Sequence, residues 1–390
     1  MEQLIHLAQI NHLLAQHRPN IPTFIYDKQA LITLAAKFIK TFTNNLYAMK
    51  ANNNTTVLKQ LYALGITSFD TASLAEIIQI KHLFPHANCY FMNAIKDSAE
   101  IKIAYENYGV CDYSVDSIDE INKIISVVGQ ENANNIRLFI RAKPLPHATA
   151  VYDFSCKFGC EHQDLVNLIC YAKQLGFRVA MSFHNGSQCL DALSYNNTLT
   201  ALHNALAQLP NNIELEVLNI GGGFPCDYVD SNTGKQRPLV NIDKFITIIK
   251  DHIASLDKFK GLPIFSEVGR AIVAPCMHLV VKVIARKGDA IYLNDGIYGN
   301  LWELATGDIV PQTYVISQQQ GALMKKAKEK RAFTIYGPTC DNVDVLPHKW
   351  FLHQDITTGD YIILQNMGAY SFVSATSFNG FGGYDILSLH

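Results

Sequence analysis

A lysine closes a short apolar run at Asn45-Leu46-Tyr47-Ala48-Met49-Lys50-Ala51-Asn52, and asparagines 52–54 stop the strand it rides on. Asn54, Thr55 and Thr56 are capping types, so a helix opens near Val57. An amine at the mouth of a strand–helix loop either marks where the strand meets water or acts as a nucleophile. Leu218-Asn219-Ile220-Gly221-Gly222-Gly223-Phe224-Pro225 places three glycines after a strand. Bare backbone there makes a plain tight turn or brings N–H groups up to an anion, most often phosphate. Ser266-Glu267-Val268-Gly269-Arg270 joins a carboxylate and a guanidinium: a structural ion pair, or an acid for a protonated ring nitrogen and a cation for phosphate. Phe183-His184-Asn185-Gly186-Ser187 offers an imidazole face and a hydroxyl. Tyr336-Gly337-Pro338-Thr339-Cys340-Asp341-Asn342-Val343-Asp344 sets a thiol beside a carboxylate on a Gly-Pro turn. Structural cysteines favour apolar neighbours, so this pair suits a proton donor, Cys340, and an anchor for a cationic substrate end, Asp341. Asn366-Met367-Gly368-Ala369-Tyr370 and Phe378-Asn379-Gly380-Phe381 add aromatic groups able to close a pocket.

The elements that carry these groups alternate. Strand-like runs fall at Leu46–Lys50, Thr67–Thr71, Asn88–Asn93, Cys111–Val115, Ile136–Arg141, Arg178–Phe183, Glu214–Asn219 and Pro263–Val268, and the intervals mostly carry helical periodicity. Eight strands alternating with helices predict a (β/α)8 TIM barrel; a doubly wound open sheet shares the local pattern, but polar residues at most strand C-termini favour the barrel. Before it, residues 1–22 read as a helix ending ahead of Pro19 and Pro22, Thr23–Asp27 as a strand, and Lys28–Phe42 as an amphipathic helix. After Arg270 the texture changes to strands at Cys276–Ala285, Ala290–Leu293, Phe333–Tyr336 and Tyr361–Gln365, with Gly, Asp and Pro turns between them. That is a mainly antiparallel β domain, completed by the N-terminal strand, with Gln318–Lys330 as a charged surface insertion. The expected division is a barrel over 27–275 and a β domain from 1–26 and 276–390.

Composition narrows the partners. Net charge is −2 from 32 basic and 34 acidic residues, which gives no electrostatic case for nucleic acid or an anionic membrane surface. No run approaches the roughly 20 apolar residues of a membrane helix. The N-terminus lacks the basic and apolar regions of a signal peptide. Nine cysteines form no CxxC pair and no metal-ligand spacing, so they read as reduced thiols of a cytoplasmic protein without a metal site.

The order of the motifs is more specific than any one of them. Lysine on barrel strand one, His-Asn-Gly-Ser on six, triple glycine on seven, Glu-Val-Gly-Arg on eight, then Gly-Pro-Thr-Cys-Asp and Met-Gly-Ala-Tyr resembles the barrel-type pyridoxal 5'-phosphate (PLP) dependent basic amino-acid decarboxylases, nearest to ornithine decarboxylase. The likeness runs from Thr23 to Phe381. It implies that Lys50 forms the internal Schiff base with PLP, as a partly desolvated lysine can. It assigns Asp70 and Glu76 to the acidic pair near the cofactor and Arg141 to the strand-five arginine. His184 is implied to stack on the ring, Glu267 to keep the pyridine nitrogen protonated, and Ser187, Gly222, Gly223, Arg270 and Tyr370 to hold phosphate. Cys340 is implied to protonate the substrate α-carbon. The resemblance also implies an obligate homodimer in which Cys340 and Asp341 serve the other subunit's site, and a small-molecule amino acid as substrate, ornithine giving putrescine for polyamine biosynthesis.

One departure bears on the substrate. After Asn294–Gly299 the family carries a short specificity helix with Tyr-Asp, but here Thr306-Gly307 falls there. Glu303 or Asp308 is the expected replacement carboxylate for the distal amine, with Phe378 lining the pocket. The segment has no arginine, which argues against the distal carboxylate of diaminopimelate. Lysine, arginine or a modified substrate such as carboxynorspermidine or a siderophore precursor is the alternative, and an inactive regulatory relative is disfavoured because Lys50, Glu267, Arg270 and Cys340 are all retained. A smaller departure is Val268, where the family usually has proline.

Overall fold

The computed structural model describes residues 2–146, 152, 156–235, 237, 239–318, 322–323 and 330–389. Strand β1 (Thr23–Tyr26) comes first, followed by β2 (Asn44–Ala48), β3 (Ser68–Thr71), β4 (Asn88–Phe91), β5 (Asp112–Val115), β6 (Arg137–Arg141), β7 (Arg178–Ser182), β8 (Leu218–Asn219) and β9 (Ile264–Ser266). Strands β2 to β9 are parallel and form a closed barrel. Closure is explicit in the register: Leu46 of β2 pairs with Ser68 of β3, while Asn44 and Asn45 pair with Phe265 and Ser266 of β9. The open doubly wound sheet is thereby ruled out.

Local chemistry starts the intervening helices. Asn54 Oδ1 accepts from the N–H groups of Thr56 (2.9 Å) and Val57 (3.4 Å), opening the helix Thr55–Ala63. Ser73, Ser117 and Asn241 cap Leu74–Leu83, Ile118–Val128 and Ile242–Ser255 in the same way. The barrel is filled rather than hollow. Leu46, Tyr90, Met92, Phe139, Ala180, Val217 and Phe265 form one buried cluster, with the rings of Tyr90, Phe139 and Phe265 6.1–6.3 Å apart.

Beyond the barrel follow β10 (Met277–Lys287), β11 (Ala290–Leu293), β12 (Thr313–Ser317), β13 (Ala322–Leu323), β14 (Lys330–Tyr336), β15 (Trp350–His353), β16 (Tyr361–Leu364) and β17 (Asp385–Ser388). They make a nine-stranded sheet in the order β13-β12-β16-β10-β11-β14-β15, with β1 antiparallel to β10 and parallel to β17. Leu7, Ile10 and Leu14 of the helix Glu2–His17 bury one face against Ile25, Val280, Ile316 and Ile363. By proximity the chain divides into two compact units, one of Leu34–Pro225 and Val240–Gly269 and the other of Met1–Thr33, Cys226–Leu239 and Arg270–His390. The segment Cys226–Leu239 thus groups with the sheet, although sequence numbering alone puts it inside 27–275. Most of the expected insertion Gln318–Lys330 lies outside the described residues; its pair Ala322–Leu323 adds β13 to the edge of β12.

Phe265→Ala removes a ring from the barrel interior and leaves a cavity that neighbours fill only in part, which predicts a loss of roughly 3–5 kcal/mol. Urea unfolding measures it, and a loss below about 1 kcal/mol would mean the interior is not packed as described.

Candidate active site

Alternation along the strands decides what crowns the barrel. Two residues beyond the core positions Leu46, Phe139, Ala180, Val217 and Phe265, the same face carries Ala48, Arg141, Ser182, Asn219 and Glu267. Asp70 joins them through its register with Ala48 and Tyr90. Lys50 lies in a single 3-10 turn, Met49–Ala51, at the end of β2. Its side chain is 45% exposed, and Nζ stands 4.0 Å from Asp70 Oδ2.

Two acids here are almost wholly out of water, Asp70 at 5% and Glu267 at 7% exposure. Burial raises both carboxyls above the ordinary carboxylate range; the nearby cations Lys50 and Arg141 pull them back, while Asp70 pushes Glu267 further up. Asn219 Nδ2 donates to Glu267 Oε1 at 2.9 Å and fixes that carboxyl. Glu76 is raised to about 7 by burial, against a hydrogen bond of 2.6 Å that its Oε2 accepts from the Ala72 N–H. His184 goes the other way. Burial first, then the positive charges of Lys50 and Arg141, drive its pKa well below the usual value, so the ring is neutral. Its Nδ1 accepts from the Gly186 N–H at 3.1 Å, which assigns the ring proton to Nε2.

The triple glycine has a steric reason. Gly221 has φ +69° and Gly223 φ +96°, and a Cβ on either would run into the carbonyl oxygen of Phe183 or of Gly186. A Cβ on Gly222 would meet the Glu267 carbonyl oxygen and come within 3.1 Å of His184 Nε2. The loop is tied down by Tyr195, whose hydroxyl donates to the Gly222 carbonyl at 2.5 Å, and by the Glu267 N–H, which donates to the Gly221 carbonyl at 2.9 Å. Ser187 is buried alongside, its backbone bridged to Tyr152.

The sheet unit holds the remaining candidates in three places. Arg270, at the start of the short helix Arg270–Val273, is buried with Glu303 and Tyr228, and the half-buried Tyr370 ring lies beside its guanidinium. Asp341 accepts a 2.6 Å hydrogen bond from the Tyr298 hydroxyl, which holds its carboxyl below the usual range. The Phe378 ring lies 4.5 Å from that of Tyr298, and the Cys340 thiol, exposed, donates to Asn379 Oδ1 at 3.3 Å. Asp308 stands apart, 3.0 Å from Arg237 and 3.6 Å from His348. Burial raises its carboxyl, but hydrogen bonds from Ser231 and Arg237 outweigh that and lower it.

Glu303 or Asp308 was expected to receive a distal amine; in the structure Glu303 is bound to a buried guanidinium and Asp308 to a largely covered one, because each acid meets an arginine of its own unit. Asn219, Tyr195, Tyr228 and Tyr298 were missed as functional neighbours. Asn219 and Tyr298 sit inside quoted motifs, but nothing in sequence says that an amide or a phenol reaches a carboxylate far along the chain.

The barrel residues fit PLP. Two buried, raised carboxyls call for a cationic N–H, a neutral flat imidazole suits a ring face, and a lysine stands within reach of both acids' field. Ser182 Oγ, buried in the same layer, has no hydrogen-bond partner among the described residues. The comparisons agree. Residues 29–274 match the family "Pyridoxal-dependent decarboxylase, pyridoxal binding domain". The chain is 28% identical over 383 residues to a probable ornithine decarboxylase of Dictyostelium discoideum, covering 92% of this chain and 77% of that one. The structure of the Paramecium bursaria Chlorella virus arginine decarboxylase bound to agmatine matches with a TM-score of 0.83 at 25% identity, over 98% of this chain and 99% of that one. A lysine/ornithine decarboxylase of Vibrio vulnificus complexed with putrescine matches at 0.80 and 27%, over 97% and 98%. The chain belongs to the pyridoxal-dependent decarboxylase family; it is a carboxy-lyase that uses pyridoxal 5'-phosphate.

Burial makes a signed prediction for the cofactor-free protein. Because Glu267 is raised on folding, the folded chain keeps a proton that the unfolded chain has released. That contribution is complete below the ordinary glutamate value of about 4.3 and is lost as pH rises through the raised value. Glu267→Gln cannot lose it, so its Tm should rise relative to the parent's between about pH 5 and pH 8. A difference in Tm that stays constant across that range would remove burial as the cause.

Proposed function

We propose that this chain decarboxylates a basic L-amino acid, ornithine to putrescine, as a homodimer with shared active sites. The observation that carries the reading is the barrel crown itself: Lys50, Asp70, Arg141, His184 and Glu267 gathered over the strand C-termini. When bound, PLP supplies an electron sink for the bond to the departing carboxylate.

The protein's residues do the rest. The Lys50 amine would hold the cofactor covalently, acting as a nucleophile toward its aldehyde. Glu267, fixed by Asn219, would hold a proton on the ring nitrogen, with Asp70, Glu76 and Arg141 setting the local charge. His184 would lie against the ring, and its neutrality would avoid a second cation beside that proton. Ser187, Gly222, Gly223, Arg270 and Tyr370 bind the phosphate. Cys340 delivers a proton from Sγ to the substrate α-carbon once carbon dioxide has left. Asp341, kept ionised by Tyr298, binds the distal amine, and Phe378 packs on the substrate's methylenes. The exposure of Cys340 on its turn supports the reading that this loop serves a second copy of the chain. A longer side chain, that of lysine or arginine, is the second reading. It is favoured by the departure of Asn300–Asp308 from the family's specificity helix, where Thr306-Gly307 stands in place of Tyr-Asp.

Lys50→Ala should lose both turnover and the visible absorbance that borohydride reduction fixes to the chain; reducible PLP retained at that site would sink the assignment. Glu267→Gln, lacking a charge-assisted hydrogen bond of roughly 1.5–3 kcal/mol, should turn over about 10- to 100-fold more slowly. Mixing Lys50→Ala with Cys340→Ala chains should restore about 25% of parental activity, the statistical share for one intact shared site in half of the dimers. No recovery in demonstrably mixed dimers would refute sharing. Carbon dioxide release from ornithine, lysine, arginine, diaminopimelate and carboxynorspermidine ranks the substrates. Release from diaminopimelate or carboxynorspermidine alone would overturn the basic amino-acid reading.

A further inference from the structure

Arg270 and Glu303 are each 4% exposed, and they meet edge to edge. Nη1 donates to Oε2 at 2.9 Å and Nη2 donates to Oε1, fork on fork. Nη1 also donates to the Tyr228 hydroxyl at 3.2 Å, and the guanidinium carbon lies 4.7 Å from the Tyr370 ring centroid. Tyr370 itself holds φ +53°, a left-handed conformation that is costly for a bulky side chain and persists only where its surroundings impose it. Glu303 comes from the helix Trp302–Thr306, held in place by the buried Leu301 and Leu304. A carboxylate and a phosphate bind a guanidinium edge by the same planar, bidentate geometry. One edge cannot serve both. A neutral buried pair also attracts a phosphate dianion less than a lone buried guanidinium does.

We propose that Glu303 is a positioning residue that sets the affinity of the phosphate site: its carboxylate holds Arg270 by the edge a phosphate monoester takes, and yields that edge when the cofactor binds. This rests on the reading of Arg270 as a phosphate ligand. In the cofactor-free chain Glu303 neutralises a charge that would otherwise be buried alone, which keeps the arginine ordered. Cofactor binding then works against that hold, so the two are negatively coupled through one side chain. Glu303, a carboxylate that sequence offered for a distal amine, thus acts on the phosphate site instead.

The test titrates cofactor-free parent, Glu303→Gln and Glu303→Asp chains with PLP and, separately, with pyridoxal, which has no phosphate, following visible absorbance. PLP should bind Glu303→Gln more tightly than the parent by roughly 5- to 150-fold, the usual span for coupled sites. Glu303→Asp, whose carboxylate retracts by one methylene, should move the same way by less, and pyridoxal affinity should stay at the parental value. Cofactor-free Glu303→Gln should also melt below the parent and gain more Tm from PLP. Equal or weaker PLP binding by Glu303→Gln, or pyridoxal shifting together with PLP, overturns the proposal. If Glu303→Gln fails to fold, Glu303→Asp decides by the same criterion. Arg270→Met separates the underlying reading. Loss of the preference for PLP over pyridoxal, with Glu303→Gln neutral, fells this inference alone. Retention of that preference fells the phosphate role of Arg270 with it.

Discussion

Glu267 and Asp70 are carboxyls withdrawn from water at the top of a closed barrel, and a buried acid must either meet a cation or keep its proton. Much of the site can be read as the answer to that constraint. Lys50 approaches Asp70 from the end of β2, Arg141 adds its field from β6, and Asn219 gives Glu267 a hydrogen bond that leaves the carboxyl raised but fixed. Burial first, and then the same cations that relieve the acids, suppress protonation of His184, so the imidazole stays neutral beside a poised carboxyl. A cationic N–H, as a protonated pyridine ring would bring, fits this arrangement.

The barrel supplies the geometry through period-two alternation. Positions that fill the interior with Phe139, Ala180, Val217 and Phe265 are followed, two residues on, by Arg141, Ser182, Asn219 and Glu267. Packing below and chemistry above are consecutive turns of one register. The glycines between β8 and the next helix belong to that economy of space, since side chains there would meet Phe183, Gly186 and Glu267. In the sheet unit carboxylates again meet defined partners, Glu303 the Arg270 guanidinium and Asp341 the Tyr298 hydroxyl. Each acid is committed to a defined partner.

The barrel was legible because its strands are short, apolar and regularly punctuated; all eight appear within a few residues of where sequence places them. β8 is only two residues long, and Ile220 alone separates it from the triple glycine. The sheet was legible in part. β12, β15 and β17 escaped because Thr313–Ser317, Trp350–His353 and Asp385–Ser388 are brief segments whose strand character comes from partners distant in sequence. Lys50, His184 and Glu267 could be singled out because their motifs end strands. The partners of Glu303 and Asp308 could not, for a carboxylate's partner is fixed by which cation the fold brings within 3 or 4 Å, and arginines 33 and 71 positions away along the chain took those places.

The proposed chemistry turns on a proton that Glu267 would hold on the cofactor ring. The most direct measurement is the nitrogen-15 NMR shift of ring-labelled PLP bound to the parent and to Glu267→Gln. The account predicts a pyridinium-type shift in the parent that persists through neutral pH, and a neutral pyridine-type shift in the variant. A neutral ring nitrogen in the active parent would contradict it.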